Sequence, residues 1–185
     1  MPELIRTNFT YDPTKNGYNT TTTWKTIVAG VGPTTASGRL VLDGGTVARY
    51  GDILKGEVTF DVTVPVAPVA TVEHVFGLAQ STIMAGVYFS IGTTLNCIVS
   101  DGTTTTTSAD IDWSPAWTNV PVTFKIIWES GLVKFYIGGT KVMTMAGDEI
   151  PSIPLSIYLH DDSGTAMSVG NISVSANSYF YQPIV

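Results

Sequence analysis

Residues 120 to 144 read Val-Pro-Val-Thr-Phe-Lys-Ile-Ile-Trp-Glu-Ser-Gly-Leu-Val-Lys-Phe-Tyr-Ile-Gly-Gly-Thr-Lys-Val-Met-Thr. Phe124, Ile126 and Trp128 alternate with more polar residues, and so do Val133, Phe135 and Ile137. A period of two is the mark of a strand with one buried face. Glu129-Ser130-Gly131 and Gly138-Gly139 interrupt the alternation with turn chemistry. The stretch predicts three antiparallel strands joined as a meander, one face of which lies on a core.

Working outward, Lys55 to Val64 places Val58, Phe60, Val62 and Val64 on one face, with Thr59, Asp61 and Thr63 on the other. Val72 to Leu78, Met84 to Ile91, Leu155 to His160 and Met167 to Val174 are further short runs rich in β-branched and aromatic residues. Asp43-Gly44-Gly45, Asp101-Gly102 and Asp161-Asp162-Ser163-Gly164 punctuate them. No stretch shows helical periodicity. The expectation is an all-β antiparallel sandwich of about ten to twelve strands, since so many strands in one domain must stack as two layers or close into a barrel.

Composition agrees with a packed domain. The chain has 185 residues, 44% hydrophobic and 13% charged, which excludes a disordered polymer. Nine Lys+Arg against fifteen Asp+Glu give a net charge of -6, and the basic residues are scattered singly. Nucleic-acid binding, which needs a clustered basic face, is disfavoured. No apolar run is long enough for a membrane-spanning helix, and no basic-then-apolar secretory segment opens the chain. Cys97 stands alone, so no internal disulfide forms, and it reads as a small buried hydrophobe.

The strand ending in Ile-Ile-Trp, the Leu-Val-Lys-Phe-Tyr-Ile-Gly-Gly strand, a Pro-bounded strand after Pro151 and Pro154, and the closing Gly170-Asn-Ile-Ser-Val174 resemble the concanavalin A-like jelly roll. This is the fold of LamG-type domains, legume lectins and laminarinase-type glucanases. The middle strands fit through Val75-Phe-Gly-Leu78 and Gly86-Val-Tyr-Phe-Ser-Ile91, so the resemblance spans roughly residues 36 to 176. It implies a fold and not a function, because this sandwich serves enzymes, lectins and structural proteins alike.

A glucanase of this fold is expected to carry paired carboxylates on one strand, in a Glu-x-Asp-x-x-Glu pattern, one to attack and one to protonate the leaving oxygen. Asp110-Ile111-Asp112 is the nearest match, and the third position is Pro115. Glu57, Glu73 and Glu129 stand isolated. The chain is therefore expected to be non-enzymatic. Sugar stacking is open to Trp113 and Trp117, which also suit a packing cap at the end of a sandwich, and in second rank to Tyr158. The resemblance also brings calcium near loop carboxylates, for which Asp161 and Asp162 are candidates beside the bland reading of an Asx-rich turn. No other cofactor is expected.

Residues 1–26 read as an extended N-terminal arm, 27–176 as the sandwich and 177–185 as a last strand or tail. Tyr11, Tyr18, Trp24, Tyr179, Phe180 and Tyr181 are aromatics that such ends could offer to neighbouring subunits. The signal-free, Thr- and Gly-rich, charge-poor chain leads to the expectation of a bacteriophage surface protein, decorating a capsid or associated with a tail. It would sit on the virion surface against a major capsid protein, as a homo-oligomer, away from membranes. The alternative is a lectin-like carbohydrate-binding module.

Overall fold

A computed structural model describes residues 6–11, 34–37, 39–43, 46–69, 73–80, 85–161 and 165–179. In chain order its strands are β1 (Arg6–Tyr11), β2 (Thr34–Ala36), β3 (Arg39–Leu42), β4 (Thr46–Thr63), β5 (His74–Ala79), β6 (Gly86–Ile91), β7 (Leu95–Ser100), β8 (Thr105–Thr107), β9 (Val122–Glu129), β10 (Leu132–Ile137), β11 (Thr140–Ala146), β12 (Leu155–Asp161) and β13 (Met167–Tyr179). The expected meander is β9-β10-β11. Phe124 opposes Ile137, Ile126 opposes Phe135 and Trp128 opposes Val133, and all six are buried. Gly138 and Gly139 both take left-handed φ, 57° and 82°. A two-residue hairpin needs this, because only such turns match the twist of the strands they join.

The hydrogen-bonded order runs β11-β10-β9-β4-β12-β5-β6-β7-β8, with β13 also alongside β4 and linking β1 and β3 to the sheet. β4 is the strand on which the sheet turns over. Its first part, Thr46 to Ile53, pairs with β12, and its second part, Gly56 to Val62, pairs with β9. Between the two, Lys55 takes φ 59° and Gly56 φ 142°. This pair of left-handed residues re-aims the strand, as a bulge does.

Because the sheet folds back on itself, β5 and β6 lie over β9 and β10. Phe76 meets Phe124 edge-on at 4.8 Å, and Phe89 meets Phe124 at 5.1 Å and Phe135 at 5.2 Å. Phe60 of β4 joins Phe76 at 6.2 Å. All five rings are completely buried. The jelly-roll sandwich expected from the sequence is what the chain forms.

The differences in detail have simple causes. Thirteen strands are present among the described residues because β2 and β8 are three-residue polar pieces that carry no readable alternation. Within the stretch expected as an arm, β1 is hydrogen-bonded to β13, from Arg6 opposite Asn177 to Tyr11 opposite Ile172. Tyr179 ends β13 opposite Asp52. Tyr18, Trp24, Phe180 and Tyr181 lie outside the described residues.

Two outcomes test this core. Phe124→Ala should lower unfolding stability by about 3–5 kcal/mol in guanidinium titrations, the range for a buried aromatic truncated without collapse. A loss under about 1 kcal/mol would mean that the aromatic cluster is not the core. Burial pushes the Cys97 thiol well above its usual value of 9.0. The unfolded chain therefore loses this proton before the folded one does, and stability should fall as pH rises past 9.0. Cys97→Val should flatten that alkaline fall in the thermal midpoint; an unchanged slope would assign it elsewhere.

Candidate functional site

Strands β12, β5, β6 and β7 each turn alternate residues toward the Phe cluster. The opposite face carries Ser156, Tyr158 and His160 from β12, Val75, Gly77 and Ala79 from β5, Gly86, Tyr88 and Ser90 from β6, and Asn96, Ile98 and Ser100 from β7. An outward face ordinarily meets water. Here Val75 is 7% exposed, Tyr88 7%, Ser156 4% and Ser100 1%, while Tyr158, His160, Ser90, Asn96 and Ile98 are half-buried, so this face is a partly sheltered recess.

Register sets one row across the recess: Tyr158 beside Gly77, Gly77 beside Tyr88, Tyr88 beside Ile98. A Cβ on Gly77 would stand 2.5 Å from Tyr88 Cα and 2.6 Å from the Val87 carbonyl oxygen. Only glycine fits there, because the Tyr88 backbone and Cβ pack directly against it. Burial pushes the Tyr88 hydroxyl above its usual value, and the neighbouring Tyr158 and Glu73 push it further. Glu73 immediately precedes β5, is exposed, and is in phase with Val75 and Gly77. His160 lies beside Tyr158, with ring centroids 6.3 Å apart, and its Nδ1 is buried without a hydrogen bond. The recess thus brings together one carboxylate, two phenols and an imidazole.

Few of the residues singled out in the sequence lie there. Tyr158 does. Trp113 precedes, and Trp117 ends, a single turn of 3-10 helix over Pro115–Trp117, and both pack, half-buried, against the core. Their rings meet edge-on at 5.6 Å, and Trp113 Nε1 donates to Thr118 Oγ1 at 3.0 Å. They span the end of the sandwich from Ile111, bridged to Leu95, to Thr118, bridged to Val64. Asp110 and Asp112 are exposed beside this single bridge, and Asp110 accepts a hydrogen bond from Asn96 Nδ2 at 3.2 Å. Asp161 points into the core, where Oδ2 accepts from the Met167 N–H at 2.9 Å. Asp162 lies outside the described residues. Among those described, no three His, Cys, Asp or Glu side chains converge as a metal site requires.

The sequence reading does not single out Tyr88, takes Glu73 as an isolated acid, and finds no local role for His160 on this face. Their signal was the phase relation of Glu73 and Gly77 along β5, which acquires meaning only once Tyr88 is known to stand opposite Gly77.

No protein-family model and no curated protein matches this chain. Solved structures do. The catalytic domain of an endo-1,3-β-glucanase (laminarinase) from Thermotoga petrophila RKU-1 aligns with TM-score 0.69 at 10% identity, over 96% of this chain and 100% of that one. The fold is a concanavalin A-like jelly roll. A Bacillus licheniformis β-glucanase gives TM-score 0.66 at 13% identity, covering 91% of this chain and 97% of its own. An apo Crh5 transglycosylase gives 0.69 at 15%, covering 96% and 89%.

These neighbours correct two expectations. The virion reading, a capsid-decoration or tail protein, and the expected lack of enzymatic activity are both contradicted by the neighbours just described, which are two glucanases and a transglycosylase. The physical source of the error is that low charge and abundant Thr and Gly reflect two layers of strands and their turns. They carry no information about assembly into a particle.

The steric requirement at Gly77 is directly testable. Gly77→Ala should cost about 1–3 kcal/mol of stability, the range for forced overpacking, and should displace Tyr88. A variant as stable as the parent in thermal melts would mean that β5 and β6 are not in this register.

Proposed function

We propose that the chain is a carbohydrate-active enzyme that cleaves or transfers the glycosidic bonds of a β-linked glucan lying along the recessed face. One observation carries the reading: the Tyr158–Gly77–Tyr88 row with Glu73 beside it, on the outward face of a sandwich of the glucanase type. Tyr158, half-buried beside Gly77, offers a ring face that suits the apolar face of a pyranose. Ser90, half-buried on the same face, supplies a short polar side chain that matches a sugar hydroxyl.

Glycosidic bonds are ordinarily handled by two carboxyl groups. The positions on β5 in phase with Glu73 are Val75, Gly77 and Ala79, so the second proton-bearing partner on this face is a phenol. In this reading Glu73 takes the acid–base role at the scissile oxygen. Tyr88, whose proton is held above the usual tyrosine range, donates a hydrogen bond to the leaving oxygen, where negative charge develops. Glu73 protonates that oxygen as its bond to the anomeric carbon breaks, and its carboxylate then takes the proton of the water or acceptor sugar hydroxyl that attacks that carbon. His160 lies within reach of Tyr158 to orient it.

The test is incubation of the purified chain with laminarin and mixed-linkage β-glucan, followed by reducing-end and mass-spectrometric analysis of hydrolysis and transfer products. Turnover is expected in the parent, with Glu73→Gln slower by about a hundredfold or more, the scale of a lost general acid–base group. Parent protein that leaves both glucans unchanged would overturn the proposal.

A further inference from the structure

His74 and Asp161 are both fully buried, facing the core from opposite strands, with Nδ1 3.4 Å from Oδ1. They are direct cross-strand partners at the ends of β5 and β12. Neither ring nitrogen of His74 has hydrogen-bonding geometry to a partner. Two desolvated ionisable groups in an apolar interior are poorly explained by stability, since well-packed hydrophobic residues of similar size do as well or better.

Their place in the fold supplies another reason. Glu73 immediately precedes His74, and His160 immediately precedes Asp161, so the pair lies beneath the two ionisable groups at that end of the recess. Asp161 also holds the N–H of Met167, the first residue of β13. We infer that the His74–Asp161 pair is a positioning device: it pins the ends of β5, β12 and β13 together on the core side and thereby sets where Glu73 and His160 stand on the recessed side. Strand alternation makes this coupling direct, because a shift of the inner residue carries its outward neighbour with it. The inference rests on the reading of the recess as the functional site, but the position of Glu73 can be measured without any substrate.

Burial, then Tyr158 and then Glu73 raise the Tyr88 hydroxyl, so the titration of Tyr88, followed by NMR with labelled tyrosine and set against that of Glu73→Gln, isolates the part that depends on where Glu73 stands. The full-length double variant His74→Phe/Asp161→Leu replaces the pair by apolar residues. It should fold with a thermal midpoint near the parent's, while the Tyr88 titration moves down toward the ordinary tyrosine range. On laminarin its kcat should fall by about tenfold or more with KM little changed, as for a misplaced catalytic group. Asp161→Asn, which keeps an oxygen for the Met167 N–H, is the second variant and should move the Tyr88 titration in the same direction. An unchanged Tyr88 titration in either folded variant would overturn the inference and leave the pair a packing feature. Should the parent not turn over laminarin, the enzymatic reading fails on its own, and the titration still decides the role of the pair.

Discussion

The contact on which this molecule depends is the meeting of Phe76 and Phe89 with Phe124 and Phe135 across the two layers. Edge-on rings a few ångströms apart add their quadrupolar preference to the burial of large apolar area. Interdigitated rings also fix the separation and relative shift of the layers. Everything outward of β5 and β6 inherits its position from that fit. With Phe76 and Phe89 seated on the inside, Gly77 and Tyr88 can only look the other way, and the recess takes its floor from the core beneath it.

That inheritance explains why the recess is polar yet partly sheltered. Small residues on β5 and β6, Gly77, Ala79 and Gly86, let neighbouring strands and rings approach closely; a Cβ on Gly86 would stand 2.7 Å from the Leu78 carbonyl oxygen. Around this low floor stand tyrosines and hydroxyl-bearing side chains. A phenol in such a place keeps its proton, whereas the carboxylate of Glu73, just ahead of the strand, is exposed to water.

Much of the architecture was legible in the sequence. The meander of β9 to β11 is a clean two-residue alternation of large apolar side chains, and its turns carry the glycines that left-handed backbone requires. β5 and β6 were found but not understood. With both faces sheltered, their sequences read as continuous apolar runs, and nothing local says which residues face the core. β1, β2 and β8 are short or polar and take their strand character from their partners. The site was nearly silent, because Glu73 looks like an isolated surface acid until register places it near Tyr88. Trp113 and Trp117 drew attention by size, and the structure uses their rings to close an end of the sandwich. The functional expectation failed for a related reason: overall composition reflects how strands pack, whereas chemistry resides in a handful of positions brought together from distant parts of the chain.

The pairing of β1 with β13 has a bearing on biosynthesis. β1 finds its hydrogen-bonding partner in β13, far along the sequence, and β4, the long strand on which the sheet turns, likewise depends on β13 along much of its length. Contacts so remote in sequence carry a large loop-closure cost and come late. During synthesis β13 must therefore emerge from the ribosome before the sheet can be completed. Until then, the unpaired edges of β1 and β4 are open to other chains, which makes this fold one whose yield in a cell is sensitive to the pace of synthesis and to chaperones that shield strand edges.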